Sequence, residues 1–123
     1  MWSCGLILFE LLTGNPLFPG ENEKEQLCLI MEILGKPPEN ILKESTRKNL
    51  FFDDKTGEPT LVKDSNGLVI EPGKKNLREV MKKVDETFFD FIEKCLVWDP
   101  EKRLTPTEAL GHKWILEGLP KQL

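Results

Sequence analysis

Residues 1–12 carry apolar side chains on every face of the helix they predict, with Ser3 and Glu10 the only polar interruptions. A helix apolar all round belongs inside a larger core or a membrane, and this run is too short to span a bilayer. It therefore calls for protein on both sides, and the rest of the chain looks able to supply only one. Thr13-Gly14-Asn15-Pro16 stops the pattern, with Gly14 suited to the position after a helix end. The next amphipathic segment opens on Asn22 as cap, with Glu25 placed as in a capping box. Leu27, Ile30, Met31 and Leu34 then follow the i, i+3, i+4, i+7 rule, until Gly35 and Pro37-Pro38 end the helix.

Residues 39–75 lose all regularity. Short helical turns are predicted near Glu39–Leu42 and Ser45–Lys48, and Phe51-Phe52-Asp53 forms an apolar anchor. Asn66-Gly67 between Thr60–Val62 and Leu68–Ile70 is a hairpin signal. A structureless stretch of this length inside a compact domain reads as an insertion. Regularity returns with a short helix from Asn76 to about Lys83 and a second from Glu86 to Trp98, whose buried face is Phe88, Ile92, Cys95 and Leu96. Asp99-Pro100 breaks it. A final helix starts at Thr105, with Pro106 in its first position and Glu108 closing a capping box.

Composition changes this picture little. Seventeen lysines and arginines against 21 acids leave a net charge of −4, which argues against a dedicated nucleic-acid surface. Cys4, Cys28 and Cys95 are widely spaced and each sits in an apolar helical pattern. They read as reduced core thiols of an intracellular protein, and no paired cysteine motif suggests a metal site. The opening apolar run lacks the basic start of a signal peptide and contains Glu10.

Identification comes from motifs in order. Trp2-Ser3-x-Gly5, then Leu11-Leu12-Thr13-Gly14-x-Pro16-Leu17-Phe18, resembles the central C-lobe helix of eukaryotic protein kinases and the loop after it. Cys95-Leu96-x-Trp98-Asp99-Pro100-x-Lys102-Arg103-Leu104-Thr105 and Ala109-Leu110-x-His112-x-Trp114-Ile115 resemble the segments that close that lobe. Phe18-Pro19-Gly20-Glu21-Asn22-Glu23-x-Glu25-Gln26-Leu27 and Ile30-Met31-Glu32-x-Leu34-Gly35-x-Pro37-Pro38 resemble the CMGC group, and within it the dual-specificity tyrosine-phosphorylation-regulated kinases (DYRK).

The resemblance implies a mainly α fold: the later half of a kinase C-lobe, with a central buried helix, a CMGC insert and two terminal amphipathic helices. It makes residues 1–123 a partial kinase domain, with 39–75 as the insert. It implies ATP-dependent phosphorylation of serine and threonine in proteins, tyrosine autophosphorylation in an activation loop, ATP and magnesium as cofactors, and a cytoplasmic or nuclear setting. Partners would be protein substrates, the remaining kinase segments, and docking proteins at the insert; neither nucleic acid nor membrane is implied.

No glycine-rich loop, strand lysine, H-R-D, D-F-G or A-P-E motif lies in the 123 residues, and phosphoryl transfer depends on those parts. The chain as written is expected to be inactive, with no catalytic, ATP-binding or metal residue of its own. In the family an aspartate precedes the position of Met1. The chain therefore reads as cut from something larger, Met1 being an internal methionine, and as marginal or aggregation-prone alone. A non-enzymatic interaction module or a pseudokinase-like fragment is the alternative.

Residue roles follow the resemblance. Ile7 and Leu11 align with the foot of the catalytic spine, against plain core packing as the simpler reading. Gly5 would admit close approach of the catalytic segment, Glu10 would contact a basic substrate residue, and Arg103 would pair with the glutamate of A-P-E. Without that partner Arg103 is expected to swing to solvent or take another acid. Trp2, His112 and Trp114 are structural anchors. Lys74, Lys75, Arg78, Lys82 and Lys83 form a basic cluster, read as a solvated face before a docking site.

Overall fold

The computed structural model describes residues 1–53 and 55–118. Its elements are helices α1 (Trp2–Thr13), α2 (Glu23–Leu34), α3 (Glu39–Glu44), α4 (Lys48–Phe51), α5 (Leu77–Val80), α6 (Glu86–Cys95), α7 (Pro106–Leu110) and α8 (Lys113–Gly118). Strand content among the described residues is confined to two isolated antiparallel bridges, Phe52 with Pro59 and Lys63 with Val69. The mainly helical fold agrees with the sequence reading. The chain divides into two compact units, Met1–Leu17 with Leu77–Leu123, and Phe18–Asn76.

In the first unit α1 packs on α6, and α8 on α6 and α7. Helix α6 is the centre because its apolar side chains fall on one face: Phe88, Phe91, Ile92 and Cys95 are all buried while Glu93 and Lys94 are exposed. It ends at Cys95, three residues before the sequence signal at Trp98. The reason lies in where the carbonyls go. Leu104 N–H returns to donate to Lys94 O at 3.0 Å, and the Val97 and Trp98 carbonyls turn to the Arg103 side chain. Lys94 O of the last turn and the two carbonyls beyond the helix thus find acceptor roles without further helix.

The expected final helix divides at Gly111-His112. Thr105 caps α7 through a complete capping box: its hydroxyl accepts from Glu108 N–H at 3.1 Å, and the Glu108 carboxylate accepts from Thr105 N–H at 3.0 Å. After the break, the His112 imidazole caps α8, with Nδ1 accepting from Trp114 N–H at 3.0 Å.

The second unit is organised on α2. Asn22 accepts from Glu25 N–H at 2.9 Å as its cap. The Glu25 carboxylate reaches back to Glu21 N–H at 3.3 Å, one residue earlier than a full capping box requires. Cys28 and Met31 are buried, while Leu27, Ile30 and Leu34 are only half-buried, so the buried stripe is narrower than the periodicity suggests. The irregular stretch does not stand apart from α2: Gly73 N–H donates to Met31 O and Lys75 N–H to Glu32 O, both at 2.9 Å. The first adds a second donor to the carbonyl that already accepts from Gly35 N–H, and the second occupies a last-turn carbonyl of the helix.

The hairpin signal is realised, with a different turn. Gly67 N–H donates to Asp64 O at 3.0 Å and Ile70 N–H to Val62 O at 2.9 Å. Only Gly67 there has positive φ, at 80°. A two-residue Asn-Gly turn of the primed type would need positive φ at Asn66 as well. Instead the Asp64 carboxylate accepts from Asn66 N–H at 2.8 Å and Leu68 N–H at 3.0 Å, holding a wider loop with glycine at its left-handed position.

Candidate functional site

All the residues singled out above for α1 and the closing segments lie in the first unit, where they form three groups. The first is a corner at the start of α1. The Trp2 and Trp98 rings lie 6.1 Å apart, tilted by 31°, and the Arg103 guanidinium sits 5.2 Å from the centre of the Trp2 ring. Arg103 Nε donates to Val97 O at 2.9 Å and Nη2 to Trp98 O at 3.1 Å. Lack of an acidic partner led to the expectation that Arg103 would swing out to solvent or take another acid; among the described residues it does neither. Backbone carbonyls are acceptors too, and the bend after α6 points two of them at the guanidinium; the aromatic face adds a favourable cation contact.

The second group is the crossing of α1 and α6. Gly5 is buried, and a methyl group placed on it would stand 2.8 Å from Cys95 Cβ and 3.5 Å from its sulfur. Within this chain the close approach that Gly5 permits is thus made by α6. Burial pushes the Cys95 thiol up to about 11, and likewise raises the Cys28 thiol. Cys4, expected as a core thiol, is exposed. It lies on the side of α1 away from Gly5 and Phe9, the helix's buried residues. That side also carries Ile7 and Leu11, exposed by 59% and 75%; Leu12, seven residues after Gly5 and so on the Gly5 side of the helix, is 60% exposed. Glu10 is exposed as well. Ile7 and Leu11 share a face, as their spacing of four requires, but they are not packed in a core here.

The third group ties the end of the chain to α6. His112 Nε2 lies 2.7 Å from Asp90 Oδ2, which Lys94 Nζ also approaches at 2.9 Å. The bonds from Lys94 and then His112 hold the Asp90 carboxyl below its usual range. Trp114 packs on Phe88 and Phe91 with ring centres 4.9 and 5.1 Å away, and the His112 ring meets Phe91 edge-on at 5.1 Å. Asp90, 22 residues from His112, carried no sequence signal, and the roles of the Val97 and Trp98 carbonyls are backbone ones, invisible in a side-chain motif.

Three of the five basic residues, Lys74 and Lys75 in the second unit and Arg78 in the first, have acidic partners within their own unit. Lys74 lies 3.9 Å from Glu71, Lys75 lies 3.8 Å from Glu32, and Arg78 pairs with Glu86 while stacking 4.4 Å from the Phe89 ring centre. Among the described residues no three His, Cys, Asp or Glu side chains converge to hold a metal ion. The donor set present does not fit magnesium, and no step of phosphoryl transfer is assigned to these side chains. Among the described residues no helix is long and apolar enough to cross a membrane.

Comparison with known proteins matches this arrangement of segments. The protein kinase domain family matches residues 1–115. Human "Dual specificity tyrosine-phosphorylation-regulated kinase 4" is 50% identical over 115 residues, covering 94% of this chain and 22% of that protein. The Drosophila melanogaster "Dual specificity tyrosine-phosphorylation-regulated kinase 2" is 47% identical over 115 residues, covering 94% and 16%. The rat "Dual specificity tyrosine-phosphorylation-regulated kinase 3" is 41% identical over 140 residues, covering 100% and 24%. The chain thus spans less than a quarter of the length of these relatives. On the kinase match over nearly its whole length, and on the identity of these relatives, the chain belongs to the protein kinase domain family, in its DYRK branch.

Proposed function

We propose that these residues form the later C-lobe part of an ATP-dependent serine/threonine kinase of dual-specificity type, acting on protein substrates. ATP, magnesium and the reacting groups would be held by segments other than residues 1–123. The observation that carries this reading is the family match over residues 1–115, set against the lack of H-R-D, D-F-G and A-P-E motifs in those residues. Positioning and charge stabilisation by those motifs supply most of the catalysis in this reaction class. The chain by itself is then inactive, and its part is mechanical. Trp2, Gly5, Arg103, His112 and Trp114 hold the lobe together, residues 39–75 are the insert, and the bare Ile7–Leu11 face seats the spine. Glu10 is assigned to a basic substrate residue.

A chimera tests the proposal. Residues 1–115 are exchanged into human dual-specificity tyrosine-phosphorylation-regulated kinase 4 in place of the matching segment, and phosphate transfer to a protein substrate is measured beside the 123-residue chain alone. Activity in the chimera with none in the isolated chain is expected. An active isolated chain overturns the assignment of the chemistry to other segments. A folded but inactive chimera overturns the assignment to a working kinase.

A further inference from the structure

The one histidine of the chain faces two partners with opposed demands. Trp114 N–H donates to His112 Nδ1 at 3.0 Å, so that nitrogen must be without a proton. His112 Nε2 lies 2.7 Å from Asp90 Oδ2, so that nitrogen must carry one. Both bonds are satisfied by the neutral imidazole with its proton on Nε2. Its side chain is only 8% exposed, which leaves little room to turn the ring.

Protonation breaks this arrangement. A proton added at Nδ1 from solvent sets an N–H donor against the Trp114 N–H donor, while Nε2 keeps its bond to Asp90. From these facing pairs we infer that His112 is a proton-sensitive cap, closing the first turn of α8 when neutral and opening it when charged, while its tie to Asp90 of α6 is kept. The bond lost is the cap; the bond kept holds the imidazolium on α6.

The surrounding charges are mixed. Asp90 and Lys94 face the ring from α6. Lys102 of the following loop and Glu108 of α7 line, with Lys94, Leu104 and His112, a cavity of about 360 Å³ through which a proton can arrive. On α8, Lys113 is adjacent in sequence and lies 3.9 Å from Glu117. Asp90 is shared between His112 and Lys94, and Glu108 is committed to the α7 cap.

Because His112 is the sole histidine, nitrogen NMR of the 123-residue chain reads its tautomer without assignment ambiguity. Hydrogen exchange at Trp114 N–H, corrected for the intrinsic effect of pH, reads the cap. The expected result is a neutral ring with its proton on Nε2, and Trp114 protection that falls about five- to tenfold as the ring becomes charged, the equivalent of one hydrogen bond. In His112→Asn, whose amide oxygen caps without titrating, protection stays flat over the same range. A proton on Nδ1 in the neutral ring overturns the inference. So does protection that survives charging, or a ring that stays neutral until the chain unfolds. If the variant does not fold, the unsubstituted chain alone decides between these outcomes.

Discussion

At the scale of single residues, contact geometry decides more than residue type. Gly5→Ala should gain about 1 kcal/mol of helix propensity and lose more to overpacking, for which about 1–3 kcal/mol is typical. The methyl group would meet Cys95 Cβ at 2.8 Å, and a β-carbon cannot step aside as a long side chain can. Thermal melting should therefore show a lower Tm for Gly5→Ala, and Cys95→Ala should not rescue it. An unchanged Tm would mean that α1 and α6 adjust freely. The cysteines separate just as sharply. Cys4 is exposed while Cys28 and Cys95 are buried, with burial raising both of the latter thiols. Thiolate is the reactive form, so maleimide at pH 7 should add rapidly at Cys4 alone in the folded chain, as counted by mass spectrometry. Rapid double or triple labelling would contradict the packing.

Among the elements, α7 shows how completely local rules can operate. A helix of five residues has little intrinsic stability, and its capping box fixes where it starts. Bonding to Thr105 N–H draws the Glu108 carboxyl below its ordinary value of 4.5. A carboxyl lowered on folding contributes stability that is fully present above about 4.5 and is lost as pH falls through the lower folded value. Glu108→Gln should flatten that acid limb of the stability curve, whereas Thr105→Ala should cost about 1 kcal/mol at neutral pH. Urea titrations across pH 3–7 check both. An acid limb unchanged in Glu108→Gln would show that other carboxyls dominate it.

The other elements show where local rules end. The cap at Asn22, the glycine stops at Gly14 and Gly35 and the box at Thr105 were all legible in sequence, because each depends on residues within four positions. The end of α6 was not, since Leu104 and Arg103 draw its carbonyls away from helical geometry. Nor was the break at His112, which depends on Asp90 across the unit.

Across the whole molecule, the bare face of α1 carries the largest consequence. Ile7 and Leu11 are at least 59% exposed, and an apolar face of this kind marks either an interaction surface or an aggregation liability. Substituting an exposed apolar residue outside a core usually changes stability by no more than about 0.5 kcal/mol. Leu11→Gln should therefore leave the melting of this chain nearly unchanged and reduce its binding of hydrophobic dye. In the kinase chimera the same substitution should lower activity, because there the proposal seats a spine on that face. A large drop in Tm for the isolated chain would mean that Leu11 is packed after all. Unimpaired activity in the chimera would remove Ile7 and Leu11 from the spine.

The order of motifs, from Trp2-Ser3-x-Gly5 to His112-x-Trp114, was enough to place the chain among kinases. The helical class followed from periodicity and caps, both carried by neighbours along the chain. Which carbonyls hold Arg103, which helix fills the space beside Gly5, which of three similar-looking cysteines is open, and which acid faces His112 were settled by packing alone. Gly5 with Cys95 and His112 with Asp90 are contacts between groups distant in sequence, and the Arg103 bonds, though local, go to backbone carbonyls; neither kind leaves a periodic trace.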